Sequence, residues 1–202
     1  MLLRLPSRRL FLLFFGLIVG LYLYAPSILL AQGDNLGVAI IIGERHAWMI
    51  ESPEDWNLDQ RNALASGLGA AFVPEWDSWS SSPVVMYANT IPKEFDTITV
   101  AGTIAADSVR AIQQFHASVK RQQPLGTIQG VDAEVCHVTR RDSSLFEAIA
   151  YINGPTAIAI IVLSSRDAEK FEDSLPSFAR LVDSYEWITS DPEQIAELKG
   201  MR

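Results

Sequence analysis

Cysteine is almost missing from this chain of 202 residues. Cys136 stands alone, which excludes an intramolecular disulfide framework and any cysteine-rich zinc site. Positive charge is scarce as well. Of 16 Lys and Arg residues, Arg4, Arg8 and Arg9 precede residue 33 while all 24 acidic residues follow it, so residues 33–202 carry 13 basic against 24 acidic side chains, a net of −11. A field of that sign repels phosphate backbones, and without a local basic patch it excludes nucleic acid as a partner. The chain also lacks a Gly-rich phosphate loop, a G-x-S-x-G elbow and a dinucleotide fingerprint. It has no internal repeat, no low-complexity tract and no linker long enough to separate domains. What it has in quantity is apolar side chains. At 49% hydrophobic and 20% charged the body is too apolar for disorder and is expected to form one domain.

The first segment carries a targeting pattern. Arg4, Arg8 and Arg9 precede the uncharged apolar run from Leu10 to Tyr24, a positive region followed by a hydrophobic one, as an export signal requires. Two outcomes fit residues 1–32. Cleavage after Ala31 would place a small residue at the last retained position, although Leu29 stands where a second small residue is preferred. Alternatively, Leu10 to Ala31 is an uncharged stretch of 22 residues, broken by Pro26 and Ser27, and a membrane-spanning helix needs about 20. In both cases residues 33–202 are expected outside the cytoplasm, periplasmic or secreted, with the N-terminal segment as the contact with the membrane. No cysteine lies near the junction, which excludes a lipoprotein anchor.

The body alternates short strand-like runs with two helical ones. Val38–Ile42 and Ala47–Ile50 flank a turn at Gly43 to His46, which suits a hairpin. Ser52 to Trp56 breaks the strand, and Gly69–Val73 and Pro83–Asn89 are the next strands, divided by the tryptophan-bearing loop Pro74 to Ser82. Val109, Ile112, Phe115 and Val119 recur at helical spacing and predict a one-sided helix ended by Pro124 and Gly126. A strand follows in which Val131, Ala133, Val135 and His137 face one way and Asp132, Glu134, Cys136 and Val138 the other. Phe146–Asn153 and Ala157–Leu163 are joined by Gly154-Pro155 as a hairpin. The second of these does not alternate, which marks a central strand covered on both faces. Ala168, Phe171, Leu175, Phe178, Ala179 and Val182 predict a closing helix that Pro176 should kink or interrupt, and Tyr185–Ile188 a last short strand. The sum is an α+β fold, a largely antiparallel sheet covered by helices.

Trp48-Met49-Ile50 followed by Pro53 and Trp56, Gly69 through Pro74 followed by Ser82 to Asn89, and the terminal helix Phe171 to Ser184 carry a family resemblance over roughly residues 38–188. In these the chain resembles small exported bacterial proteins of unknown role and, more distantly, the PsbP subunit of photosystem II and the periplasmic DcrB-type proteins. The resemblance implies an α/β/α sandwich without implying a shared ligand. No ligand set for the manganese and chloride of the photosynthetic relatives can be matched here, and no cofactor is expected.

Candidate chemistry is thin. Cys136 and His137 suggest a thiol and imidazole pair, but neighbours on a strand point to opposite faces, and a lone cysteine is most often a small packed hydrophobe. His46, His116 and His137 fall on a turn, a helix and a strand, without metal-motif spacing. Glu134 and Glu147 would form a hydrolytic carboxylate pair only if their strands place them at a defined separation; the ordinary alternative is a pair of solvent-face residues. No catalytic or metal-binding residue is therefore assigned. Trp56, Trp76 and Trp79 sit in loops or loop edges with Asp77 and Ser78 to Ser82, where rings and hydroxyls can hold a sugar, a lipid head or a partner's side chain; otherwise they lid the core. The sequence thus describes an exported accessory or ligand-binding protein with a possible protein or small-molecule partner, the alternative being an extracytoplasmic enzyme of unknown reaction, most plausibly a hydrolase.

The arginines before the apolar run generate a first prediction. A reporter active only outside the cytoplasm, fused after Arg202, should be active; a silent reporter on an expressed fusion would refute export.

Overall fold

The computed structural model describes residues 27–29, 37–95, 97–140 and 144–201. The elements run β1 (Ser27–Leu29), β2 (Val38–Ile42), β3 (Ala47–Glu51), β4 (Trp56–Leu58), α1 (Gln60–Ala65), β5 (Ala70–Pro74), β6 (Val84–Pro92), α2 (Val100–Phe115), β7 (Ser118–Arg121), β8 (Ala133–Arg140), β9 (Leu145–Asn153), β10 (Ala157–Ser165), α3 (Ala168–Asp183), β11 (Glu186–Thr189) and α4 (Pro192–Gly200). Seven strands form one sheet in the order β4-β5-β6-β10-β9-β8-β7, and four form a second, β1-β2-β3-β11. Every pairing in both is antiparallel.

The non-alternating run Ala157–Leu163 is β10, the middle strand of the seven, and all seven of its side chains are buried. It must therefore be covered twice. On one face Ala159, Ile161 and Leu163 pack with Phe171, Phe178, Leu181 and Val182 of α3 and with Ile41, Trp48 and Ile50 of the second sheet. On the other, Ile158, Ile160 and Val162 pack with Ile104 and Ala111 of α2. The fold is the expected α+β sandwich with a helix on each face. The second sheet was not legible in the sequence. It is tied to the first by Trp48, whose Nε1 donates to Thr90 Oγ1 at 3.0 Å and whose ring meets Tyr185 at 5.6 Å. Gly154, in the β9–β10 turn, lies so close beneath Trp187 that a Cβ there would fall 2.3 Å from the ring.

Three expectations need correction. The first helix begins at Val100 and ends at Phe115, with Val119 on β7 instead of on the helix. Its core face is Ile104 and Ala111, whereas Val109 and Ile112, the predicted stripe, are 52% and 51% exposed. Both faces satisfy a helical period, and the face of Ile104 is the one that brings Asp107 to Tyr151. Pro176 does not interrupt α3; the proline and Glu172, whose carbonyl loses its intrahelical donor, are both exposed to water. The break expected at Ser52 to Trp56 is present between β3 and β4 but ends before Trp56, which opens β4.

Of residues 1–32, on which the signal and anchor expectations fall, all but Ser27–Leu29 lie outside the described residues. Among the described residues no helix is long and apolar enough to cross a membrane. Ser27–Leu29, within the segment assigned to targeting, pairs with Ile40–Ile42 of β2.

His46 in the β2–β3 turn generates a pH prediction. It is 3% exposed, its Nε2 has no partner among the described residues, and a Cβ at Gly43 would touch its ring at 2.1 Å. Burial, reinforced by Lys199 on α4, lowers its pKa to about 4. The unfolded chain, with an ordinary histidine, thus binds the extra proton first, and stability contributed by neutral His46 should fall as pH drops from about 6.5 to about 4. The loss is at most about 3 kcal/mol. Half-buried Asp107 and buried Glu147, whose pKa values are raised, act in the opposite sense. The test is therefore the difference in denaturant midpoint between the natural protein and His46→Gln, which should shrink on acidification; a pH-independent difference would refute it.

Candidate functional site

Two polar features share the α2 face of the large sheet, one buried and one open. The buried one lies where a hydrophobic seam would be expected. Asp107 of α2 accepts from Tyr151 Oη at 3.1 Å and pairs with Arg110 at 3.3 Å. Burial raises the Asp107 carboxyl above its usual range, opposed by the Tyr151 hydrogen bond and by Arg110. Further along, Arg140 and Glu147 pair at 3.4 Å with side chains only 3% and 6% exposed, and the Arg140 guanidinium lies 4.5 Å from the centre of the Phe115 ring. Burial likewise raises Glu147, with Arg140 acting against it. Beside these sits Cys136, 2% exposed, its thiol pushed up by burial. The space they enclose is about 20 Å³. That is room for one water and none for a substrate.

The open feature is a groove of about 550 Å³ at the end of the same sheet, within the range of small-molecule sites. The β2–β3 turn contributes Arg45, the end of β6 contributes Lys93, and α2 contributes its N-cap Thr99 and Val100. Asp132 and Glu134 come from the start of β8, Asn153, Pro155 and Thr156 from the β9–β10 turn, and Tyr151 lines this groove as well as the buried cluster. Lys93 Nζ donates to Asn153 Oδ1 and to the Gly154 carbonyl, both at 2.6 Å, and partial burial lowers its pKa. The Thr156 hydroxyl donates to the Arg45 carbonyl, holding the second sheet against the turn. Glu134 pairs with Arg121 at 3.7 Å, both well exposed. Arg45, Lys93 and Asp132 have no ion-pair partner among the described residues.

The residues singled out in the sequence are scattered. Trp56 and Trp79 are each 7% exposed and lie in the cores on opposite faces of the large sheet, whereas Trp76 is 76% exposed. The three are not brought together. The loop carrying Trp76 is internally bonded: Asp77 Oδ1 accepts from Ser78 N and Ser81 Oγ at 2.8 and 2.7 Å. Those two bonds, the hydroxyl's first, hold the Asp77 carboxyl below its usual range. Cys136 and His137 are on opposite faces, as the strand period requires; His137 stands edge-on to Phe171 at 5.4 Å. His46 is in its turn, and His116 is the exposed left-handed cap of α2 at φ 49°. Among the described residues no group of three or more His, Cys, Asp or Glu is placed to hold a metal. Glu147 sits opposite Val138, four residues from Glu134 on β8, so these carboxylates are roughly 13 Å apart along the strand. That exceeds the ~5–9.5 Å of glycoside hydrolysis, and Glu147 is committed to Arg140.

Lys93, Asn153 and Arg45 were not found from sequence. Each is an ordinary polar residue at a strand end, and only the register of four strands gathers them. Asp107 left a fainter signal, a carboxylate three residues after Ile104 on what proves to be the buried face.

No protein-family model matches the chain, and no curated protein matches it. Its fold is similar to the solution structure of cyanobacterial PsbP (CyanoP) from Synechocystis sp. PCC 6803, with a TM-score of 0.50 and 9% identity over 78% of this chain and 96% of that one. The Ran-binding protein Mog1p of Saccharomyces cerevisiae overlaps more loosely, with a TM-score of 0.36 and 7% identity over 74% of this chain and 89% of that one. The PsbP-like fold implied by the sequence is thus the fold observed.

The separate fates of the tryptophans generate a prediction. Trp79→Ala should cost roughly 3–5 kcal/mol of stability, as large-to-small aromatic changes in a core do. Trp76→Ala should change it by no more than about 0.5 kcal/mol. Equal effects in chemical denaturation would contradict the different burial of the two rings.

Proposed function

We propose that the protein is an exported accessory protein, attached to the membrane by its N-terminal segment, that binds a small polar ligand in the groove between Lys93 and Asp132. The observation that carries the reading is a groove of ligand size lined by Arg45, Lys93 and Asp132, charged groups that no described residue neutralises. Export rests on the arginines before the apolar run. The pairing of β1 with β2 supports the uncleaved form, because cutting after Ala31 would remove β1 with the rest of the segment. The apolar run would then span from Leu10 to Pro26, at the short end of the ~17–25 residues that cross a bilayer.

An extracytoplasmic hydrolase is the competing reading. It would draw on Asp107, Cys136, Glu147 and Tyr151, and the 20 Å³ they enclose favours a role in packing over one in turnover. Trp56, Trp76 and Trp79 as a shared binding surface are likewise less favoured than the groove. Trp76 alone presents its ring to solvent, as a contact with a protein partner would require.

The test is ¹H–¹⁵N spectroscopy of the full chain in detergent against a panel of small anionic, cationic, zwitterionic and neutral metabolites. Shifts should concentrate at Lys93, Thr99, Asp132 and Asn153, and Lys93→Met should abolish them. If no member of the panel shifts these residues, or if shifts centre on Trp76, the groove-binding reading fails.

A further inference from the structure

The charges in the groove are sorted by sign, and the sorting restricts the ligand. Lys93 and Arg45 both stand at the β9–β10 turn, Lys93 through the bonds of its ammonium to Asn153 and Gly154, and Arg45 through its carbonyl, which accepts from Thr156. On the other side of Asn153 lies Asp132. It continues the register of β8 and β9 one residue beyond the Ala133–Ile152 pair, with Glu134 two residues further on. The strands that carry Lys93 and Asp132, β6 and β8, are three spacings apart, but the Lys93 ammonium reaches Asn153, so it and Asp132 flank Asn153 from opposite sides, with Arg45 on the Lys93 side. Neither Lys93 nor Arg45 pairs with Asp132 or Glu134. The Asn153 amide between the two sides accepts from Lys93 through its oxygen and keeps its NH₂ group for donation.

A simple anion would meet the two carboxylates and the negative field of the whole body, net −11 over residues 33–202 from 13 basic and 24 acidic side chains. A simple cation would meet Lys93 and Arg45. A molecule bearing one charge of each sign satisfies both sides at once, and the groove is larger than a free amino acid fills. Ile98 and Pro155 add apolar lining, and the Asn153 NH₂ group suits a peptide carbonyl.

We infer that the groove binds a short peptide with free termini, its carboxylate toward Lys93 and Arg45 and its ammonium toward Asp132 and Glu134. The inference rests on the binding role proposed above and specifies its ligand. The peptide's own backbone bridges the two sides, and its side chains point to solvent or to the apolar lining, so the chemistry selects for free ends more than for sequence.

Trialanine is the probe, titrated calorimetrically into the full chain in detergent beside N-acetyl-trialanine, trialanine amide, acetate and methylammonium. Trialanine should bind, and each capped form should bind at least about tenfold more weakly, the cost of one charge-assisted hydrogen bond. Asp132→Asn should weaken trialanine but leave the residual binding of the N-acetyl form unchanged; Lys93→Met and Arg45→Ala should do the same for the amide. Asp132 and Arg45 are exposed, so these variants test the site without threatening the fold. Capped peptides binding as tightly as the free one would overturn the inference. If acetate or methylammonium shifts the groove residues and trialanine does not, the peptide falls while the groove keeps its binding role. If neither these probes nor the wider panel shifts them, both fall.

Discussion

One strand with no polar face dictates the rest of this molecule. β10 buries every side chain from Ala157 to Leu163, and an antiparallel sheet ordinarily leaves one face to water. Two-sided burial demands a covering layer on each side. α3 and the second sheet supply one, and α2 supplies the other. The central strand also fixes the register of its neighbours, because a slip of one residue would exchange the sets Ala159, Ile161, Leu163 and Ile158, Ile160, Val162 between two cores of different shape. The position of the groove follows: it lies where β9 and β10 turn at Asn153 to Thr156, and that turn is held by the same register.

The two coverings differ in kind. The α3 side is sealed by aromatic and branched side chains, Phe171, Phe178, Leu181, Trp48 and Tyr185 among them. The α2 side is thinner in apolar contact, with Ile104 and Ala111 as the buried hydrophobic residues of the helix, and it relies on placed polar partners: Asp107 with Tyr151, and Arg140 with Glu147 under Phe115. Such pairs add little net stability, since desolvation offsets most of their attraction. What they supply is a choice. Val109 and Ile112 offered the helix another apolar face, and seating that face would leave Asp107 and Tyr151 without each other. Losing that hydrogen bond to a carboxyl costs about 1.5–3 kcal/mol, a weight in favour of the seating that keeps it.

That competition explains what the sequence disclosed and what it hid. β10, the opposite facings of Cys136 and His137, and the stripe of α3 could be read because each depends on residues adjacent in the chain. The seating of α2 could not, because Val109 and Ile112 repeat at the same period as Ile104 and Ala111, and Tyr151, the partner of Asp107, lies 44 residues further on. The second sheet was hidden for the same reason: β11 pairs with β3 across more than 130 residues, and strand period carries no record of its partner. Tryptophan was a misleading marker in that a loop position says nothing about burial. Trp76 and Trp79 are three residues apart, and only one is in water.

The groove is the extreme case of non-local assembly. Residues 45, 93, 99, 132, 134, 151, 153, 155 and 156 converge there, and none belongs to a motif. Of these, Arg45, Lys93 and Asp132 have no ion-pair partner among the described residues. Lys93 is drawn toward Asn153 and Gly154 by bonds to its ammonium, and Glu134 is drawn outward to Arg121 on the edge strand β7. Pairing Lys93 with Asp132 would mean giving up hydrogen bonds at 2.6 Å for an exposed ion pair worth about 0–1 kcal/mol. The Lys93 ammonium is therefore held in position at Asn153, and a carboxylate that meets it there needs no reorganisation of that side chain to offset its binding.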